Sequence, residues 1–294
     1  VICNLGVVGS NPTRGSRIWR DKTKVLSRFF VYTPFIYITK EKQLTMEARI
    51  DKYKVLAAMV RSFFDAFSSG IIDCQVEDAK EKTKPRTVKK LMLDHYEHIA
   101  PVFFDTMFFP LAAMNYSYED IAALVREAQQ RGDDMMALVR TACGDKALYE
   151  AMVEEYKRNF SNLLAGHFAS NEDHLASYTR RKEDNMQEKN SINEERAIEL
   201  TVRVVMFAYA RGLRQISKDR QQLRQATLFR LMLDAMNVLL LDEAADYKNS
   251  EANDLASLFM KVCRTQRNFT VMTDEMDRTY TEIIAEYDKD KSAS

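Results

Sequence analysis

Pro110 is the last proline of this 294-residue chain, and only five glycines follow Met46. Proline removes a backbone donor and glycine weakens a helix interior. A chain that avoids both over such a length has α-helix as its economical solution. The spacing of apolar side chains agrees: Tyr53, Leu56, Val60, Phe63, Phe64 and Phe67 recur three or four residues apart, on one helical face. This predicts a first helix over 46–68 with Gly70 as its stop. A charged connector over 71–86 ends in Lys84-Pro85. A second helix is expected over 87–109, kinked or split at Pro101 and closed by Pro110.

Ser117 is the predicted N-cap of a third helix ending near Gly132, and a short helix over 133–142 is stopped by Gly144. Tyr149, Met152, Val153, Tyr156, Phe160, Leu163 and Leu164 make another one-sided helix, ending at Gly166. The stretch 179–190, TRRKEDNMQEKN, has almost no apolar content. It is the expected boundary, as linker or exposed helix, between a first helical half, 46–178, and a second, 191–294. Ser191 with Glu194 reads as a capping box that restarts the helix.

In the second half, Val204 to Ala210 is apolar on every side, and Leu228 to Leu241 nearly so, with Arg230, Asp234 and Asn237 sharing one face. These two helices are expected to be central. Leu255, Leu258, Phe259 and Val262, then Met276, Tyr280, Ile283, Ile284 and Tyr287, read as two amphipathic helices that cover them. The spacing shows no internal repeat. The expected fold class is therefore all-α: a multi-helix bundle in two helical halves, preceded by a segment foreign to it.

That segment is 1–45. It contains no alanine and no methionine, whereas 46–294 holds 29 alanines and all 15 methionines. It also carries eight Lys/Arg against two acids, a net +6 that leaves −6 for the remainder. Within it, GVVGSNPTRGSR resembles the translation of a transfer-RNA gene's 3′ end, whose T-arm consensus reads Gly-Ser-Asn-Pro in one frame. The Phe-, Ile-, Tyr- and Lys-rich run that follows suits an AT-rich spacer. The expectation is that 1–45 is disordered or translated upstream sequence, that Met46 is the natural start, and that the gene lies beside a tRNA gene in an integrated mobile element. A basic targeting leader is the other reading.

The chain as a whole is neutral, 43 basic against 43 acidic residues, so its net charge selects neither nucleic acid nor membrane as partner. Cys3, Cys74, Cys143 and Cys263 are far apart and show no CxxC or Cys-His spacing, which fits neither a disulfide framework nor a zinc site. A reducing, cytoplasmic compartment is the expectation. The stretches Phe29 to Thr39 and Val204 to Ala210, the longest strongly apolar ones, are too short for a membrane span.

Three local patterns bear on chemistry. Asp94, His95, Glu97 and His98 lie together on the expected second helix, with Asp105 two turns on. Imidazoles and carboxylates three or four residues apart can converge on a metal, which makes His95 and His98 candidate ligands, although a closed site needs donors from a second helix. The segment Tyr116-Ser117-Tyr118-Glu119-Asp120-Ile121-Ala122-Ala123-Leu124 is similar to the first helix of helix-turn-helix regulators over nine residues. Val125-Arg126-Glu127-Ala128 then continues the helix where that motif turns.

The third pattern is a basic segment, 203–230. Arg203, Arg211, Arg214, Lys218, Arg220, Arg224 and Arg230 face a single acid, Asp219. Arginine suits bidentate phosphate contact, so Arg211, Arg214, Lys218, Arg220 and Arg224 are candidate nucleic-acid-binding residues, unless acids such as Asp242-Glu243 and Asp274-Glu275 pair them within the bundle. No nucleophile elbow, phosphate loop or dinucleotide fingerprint occurs. The expected function is that of a non-enzymatic protein-interaction or regulatory protein, without a cofactor, that binds a protein partner or itself. Nucleic-acid binding through the basic segment is the alternative.

Overall fold

The computed structural model describes residues 48–78, 96–165, 190–216, 223–241 and 255–293. In chain order these form β1 (Arg49–Asp51), α1 (Lys52–Asp78), α2 (Tyr96–Asn115), α3 (Tyr118–Arg131), α4 (Met135–Ala142) and α5 (Lys146–Ala165). There follow β2 (Ser191–Asn193), α6 (Glu194–Ile216), α7 (Gln225–Leu240), α8 (Leu255–Cys263) and α9 (Gln266–Ala293). The all-α expectation holds. The boundary expected at 179–190 lies, save for residue 190, outside the described residues, as does all of 1–45.

Three local expectations are corrected. First, α1 runs through Gly70 and on to Asp78. A Cβ on Gly70 would stand 2.3 Å from the carbonyl oxygen of Tyr209, and one on Gly212 2.2 Å from that of Phe67. Both are glycines because α1 and α6 cross there backbone against backbone, leaving no room for a side chain. Second, Pro110 lies inside α2, which continues to Asn115. An interior proline costs roughly 3 kcal/mol. Burial of Leu111 and Met114 beyond it, at roughly 1.5–3 kcal/mol each, outweighs that. Asn115 also ties the end down, its Nδ2 donating to Leu111, Ala142 and Cys143 carbonyls and its Oδ1 accepting from Lys52.

Third, Ser191 is not a helix cap. It sits in β2, where its hydroxyl accepts from Arg49 Nε. Asn193 caps α6 instead, its Oδ1 accepting from the amides of Glu195 and Arg196. Asn193→Ala should therefore lower stability by about 1 kcal/mol, seen as a fall of roughly 3 °C in the thermal midpoint. Ser191→Ala should change it by less than half of that.

The helix ends at Ser117, Gly132 and Gly144 fall where the sequence places them. Ser117 Oγ accepts from the amide of Asp120, and Gly132 and Gly144 take φ values of 72° and 74°. α6 is the central helix: Val202, Val204, Val205, Met206, Ala208 and Tyr209 are all fully buried. Lys52–Cys74 is long and apolar enough to cross a bilayer, but 83% of that window is buried within the bundle, as befits a core helix.

The described body contains a repeat that the linear sequence hides. β1 pairs antiparallel with β2, Ile50 opposite Ile192, and each strand leads into a long helix. Asp51 Oδ1 accepts from the amide of Tyr53 just as Asn193 Oδ1 accepts from that of Glu195. Arg49 and Ser191 are 142 positions apart, and the same offset relates Val60 to Val202, Arg61 to Arg203, Phe67 to Tyr209 and Gly70 to Gly212. The reciprocal glycine contacts place a local two-fold axis at the crossing. α2 packs on α6 as α7 packs on α1, and α5 packs on α1 as α9 packs on α6.

The final helices correspond at a different offset, 120, which aligns Cys143 with Cys263, Glu155 with Glu275 and Arg158 with Arg278. Gly144 and Arg264 occupy equivalent positive-φ corners, and Asp145 and Thr265 cap the helices that follow by accepting from Leu148 and Asn268. The offset falls in two steps: to 125 between α2 and α7, where the contact of Arg211 with Asp105 answers that of Ser69 with Arg230 and Phe109 corresponds to Asp234, and then to 120. With the offset changing along the chain and so few identical pairs, no single period exists for the sequence to reveal.

Candidate functional site

The basic segment begins on α6, where the described arginines turn onto neighbouring helices. Arg203 grips Glu282 with both ends of its guanidinium, Nη1 to Oε1 at 3.0 Å and Nη2 to Oε2 at 2.5 Å, and donates to Glu275 Oε1 at 3.0 Å. Its Cζ lies 4.9 Å from the ring centre of Phe109 and 5.6 Å from that of Phe207. Burial alone would lower its pKa, but Glu282 and Glu275 hold it raised. Glu275, 2% exposed, also accepts from Arg278 and Thr279. One of the acids expected to answer the basic face thus does so.

Arg211 reaches back to α2, pairing with Asp105 and donating to the Thr106 hydroxyl. Arg214 lies over the ring of Tyr287, 4.8 Å from its centre. Burial pushes that phenol up to about 12. Arg224 pairs with Asp73 at 3.4 Å, and Arg230 donates to Ser69 Oγ at 3.0 Å. Lys218 and Arg220, also candidates for the interface, lie outside the described residues.

These partners belong to a polar seam between α1 and α7. Arg61, Asp65, Ser69 and Asp73 recur every four residues along an otherwise apolar helix, and α7 answers with Thr227, Arg230 and Asp234. Asp73 Oδ2 accepts from Tyr209 and Thr227 hydroxyls, each at 2.6 Å. Burial raises the Tyr209 phenol, and its bond to Asp73 adds to the shift. Asp65 pairs with Arg61 at 3.6 Å. Burial raises its carboxyl and the charge of Asp234 adds to that, against the opposing pull of Arg61 and Arg230. The sequence offered the signal, a period of four polar residues on an apolar helix, but only the fold says that α7 faces it.

Tyr118 is 61% exposed at the start of α3. It is nonetheless held. Its ring lies 6.0 Å from that of Phe109, and Arg196 Nη1 donates to its hydroxyl at 2.9 Å while the guanidinium lies over the ring. Arg196 is in turn fixed by Glu199 at 2.9 Å. The sequence marked this stretch as a helix start and as similar to the first helix of a helix-turn-helix, but not Tyr118 as exposed, since exposure depends on which face α3 turns outward.

His95 lies outside the described residues, and of His98 only the backbone, within α2, is described. Among the described residues no three His, Cys, Asp or Glu side chains converge as metal ligands. Cys74, Cys143 and Cys263 are buried, and burial pushes the thiols of Cys143 and Cys263 up to about 12, which keeps them protonated and unreactive near neutral pH. No family model, curated protein or solved structure matches this chain.

Proposed function

We propose that this chain is a non-enzymatic, all-helical protein-interaction module of the cytoplasm, and that its partner docks on α3 around Tyr118. The observation that carries this reading is the immobilised, exposed ring of Tyr118 at the start of α3. Tyrosines with fixed rotamers make good interface anchors, since little side-chain entropy is lost when the partner arrives. The inward pairing of Arg203, Arg211 and Arg224 further supports a protein partner over a polyanion, because those charges already have acidic acceptors.

Affinity capture with the wild-type chain and with Tyr118→Glu tests the proposal. The expected result is a specific protein partner whose affinity falls roughly tenfold or more in the variant, with unchanged helicity. A partner that binds both equally would remove Tyr118 from the interface. Binding of duplex DNA or single-stranded RNA that weakens steeply between about 50 and 200 mM salt, and is lost in Arg214→Glu with Arg220→Glu, would replace this reading by nucleic-acid recognition through the basic segment.

A further inference from the structure

The local two-fold axis makes Arg61 and Arg203 equivalent, yet their surroundings differ in kind. Arg203 is packed between two aromatic rings, with its donors on two glutamates. At the positions equivalent to Phe207 and Phe109 the other half has Asp65 and Asp234, both within electrostatic reach of one another beside Arg61. One turn beyond Asp234, the equivalent of buried Ala112 is Asn237, 2% exposed.

The amide of Asn237 is buried with neither its Nδ2 nor its Oδ1 bonded, and Arg61 Nη1 is likewise buried without an acceptor. An unmet buried polar group of this kind costs about 1–3 kcal/mol. Two facing helices do not ordinarily retain three such atoms in one layer. The seam's register brings them together. Asp73 meets Thr227, Ser69 meets Arg230, and Asp65 feels Asp234, so the next layer along both helices holds Arg61 and Asn237. Lys54 Nζ, bonded to the carbonyl of Leu241 at 3.4 Å, closes the layer beyond it.

We propose that the Arg61 centre is a hydrated binding site: a water molecule sits between α1 and α7, accepting from Arg61 Nη1 and Asn237 Nδ2 and donating to Asn237 Oδ1. Water is the fitting ligand because the open atoms comprise both donors and an acceptor, and charges of both signs surround them, Arg61, Arg230 and Lys54 with Asp65 and Asp234. A bare anion or cation would meet one wrong sign on either side. In the other half Arg203 lies against the rings of Phe109 and Phe207, and buried Ala112 stands where Asn237 does here, so the two equivalent centres differ as a wet one and a dry one.

Asn237→Leu separates the alternatives by the sign of its effect. Where a water bridges the two side chains, leucine expels it and leaves Arg61 Nη1 unsatisfied, so the thermal midpoint should fall by roughly 5 °C. Where the gap is dry, leucine merely removes an unsatisfied amide and the midpoint should rise, which would overturn the proposal. Asn237→Leu combined with Arg61→Met should recover part of the loss, because no unpaired donor remains. Independently of any variant, the wild-type Asn237 side-chain amide protons should show cross-relaxation to a long-lived water by NMR, and a missing signal would equally overturn the site.

Discussion

Gly212→Ala should destabilise this protein by roughly 3 kcal/mol or more, lowering the thermal midpoint by about 6–12 °C. The added methyl carbon would lie 2.2 Å from the Phe67 carbonyl oxygen, a backbone atom that cannot rotate away. α1 and α6 must then move apart, and α6 is the helix around which the core is built. Gly70→Ala should behave alike, its methyl meeting Tyr209 O at 2.3 Å. The double variant should cost clearly less than the two singles combined, because helices already separated by one methyl accommodate the second. Gly132 provides the contrast: space around it is open but its φ is 72°, so alanine there incurs only the left-handed strain, about 1–2 kcal/mol. Melting curves followed by circular dichroism measure all four. A midpoint for Gly212→Ala within about 2 °C of wild type would contradict the close crossing.

Arg203→Met should cost about 3 kcal/mol. It strands Glu275, 2% exposed, with only the half-exposed Arg278 and the Thr279 hydroxyl to answer its charge. Arg203→Lys should recover little, since an ammonium cannot reproduce the fork that spans both oxygens of Glu282 and still reaches Glu275. Glu282→Gln should matter far less, under about 1 kcal/mol, because its side chain is 42% exposed and screened by water. Pairing Arg203→Met with Glu275→Gln should restore part of the loss, since the stranded charge is then gone. Urea denaturation would read these differences; a loss of similar size for Glu282→Gln would show that exposure is a poor guide here.

Helix content was legible because it depends on what the chain lacks, proline and glycine, and on local apolar spacing. Local capping was legible where the cap and its helix are adjacent, as at Ser117. It was misassigned at Ser191, where a partner far away in sequence, Arg49, draws the serine into a strand and leaves Asn193 to cap. Gly70 and Pro110 misled for a related reason. Their local meaning is to stop a helix, while their actual role is set by α6 and by the buried turn that follows Pro110. The polar partners of the basic segment escaped notice because Asp73, Ser69 and Glu282 come from helices that only the fold brings alongside.

The reciprocal crossing of Gly70 and Gly212 has a bearing on assembly. A single strand-plus-helices unit would expose the apolar face that its mate now covers, and separate units would have to find one another by diffusion. Here both sit on one polypeptide, so their pairing is unimolecular and its strength does not vary with protein concentration. Dilution should leave the melting temperature unmoved. The chain in effect carries its own dimer, free to vary one copy, as the Arg61 centre shows, while the other keeps the frame.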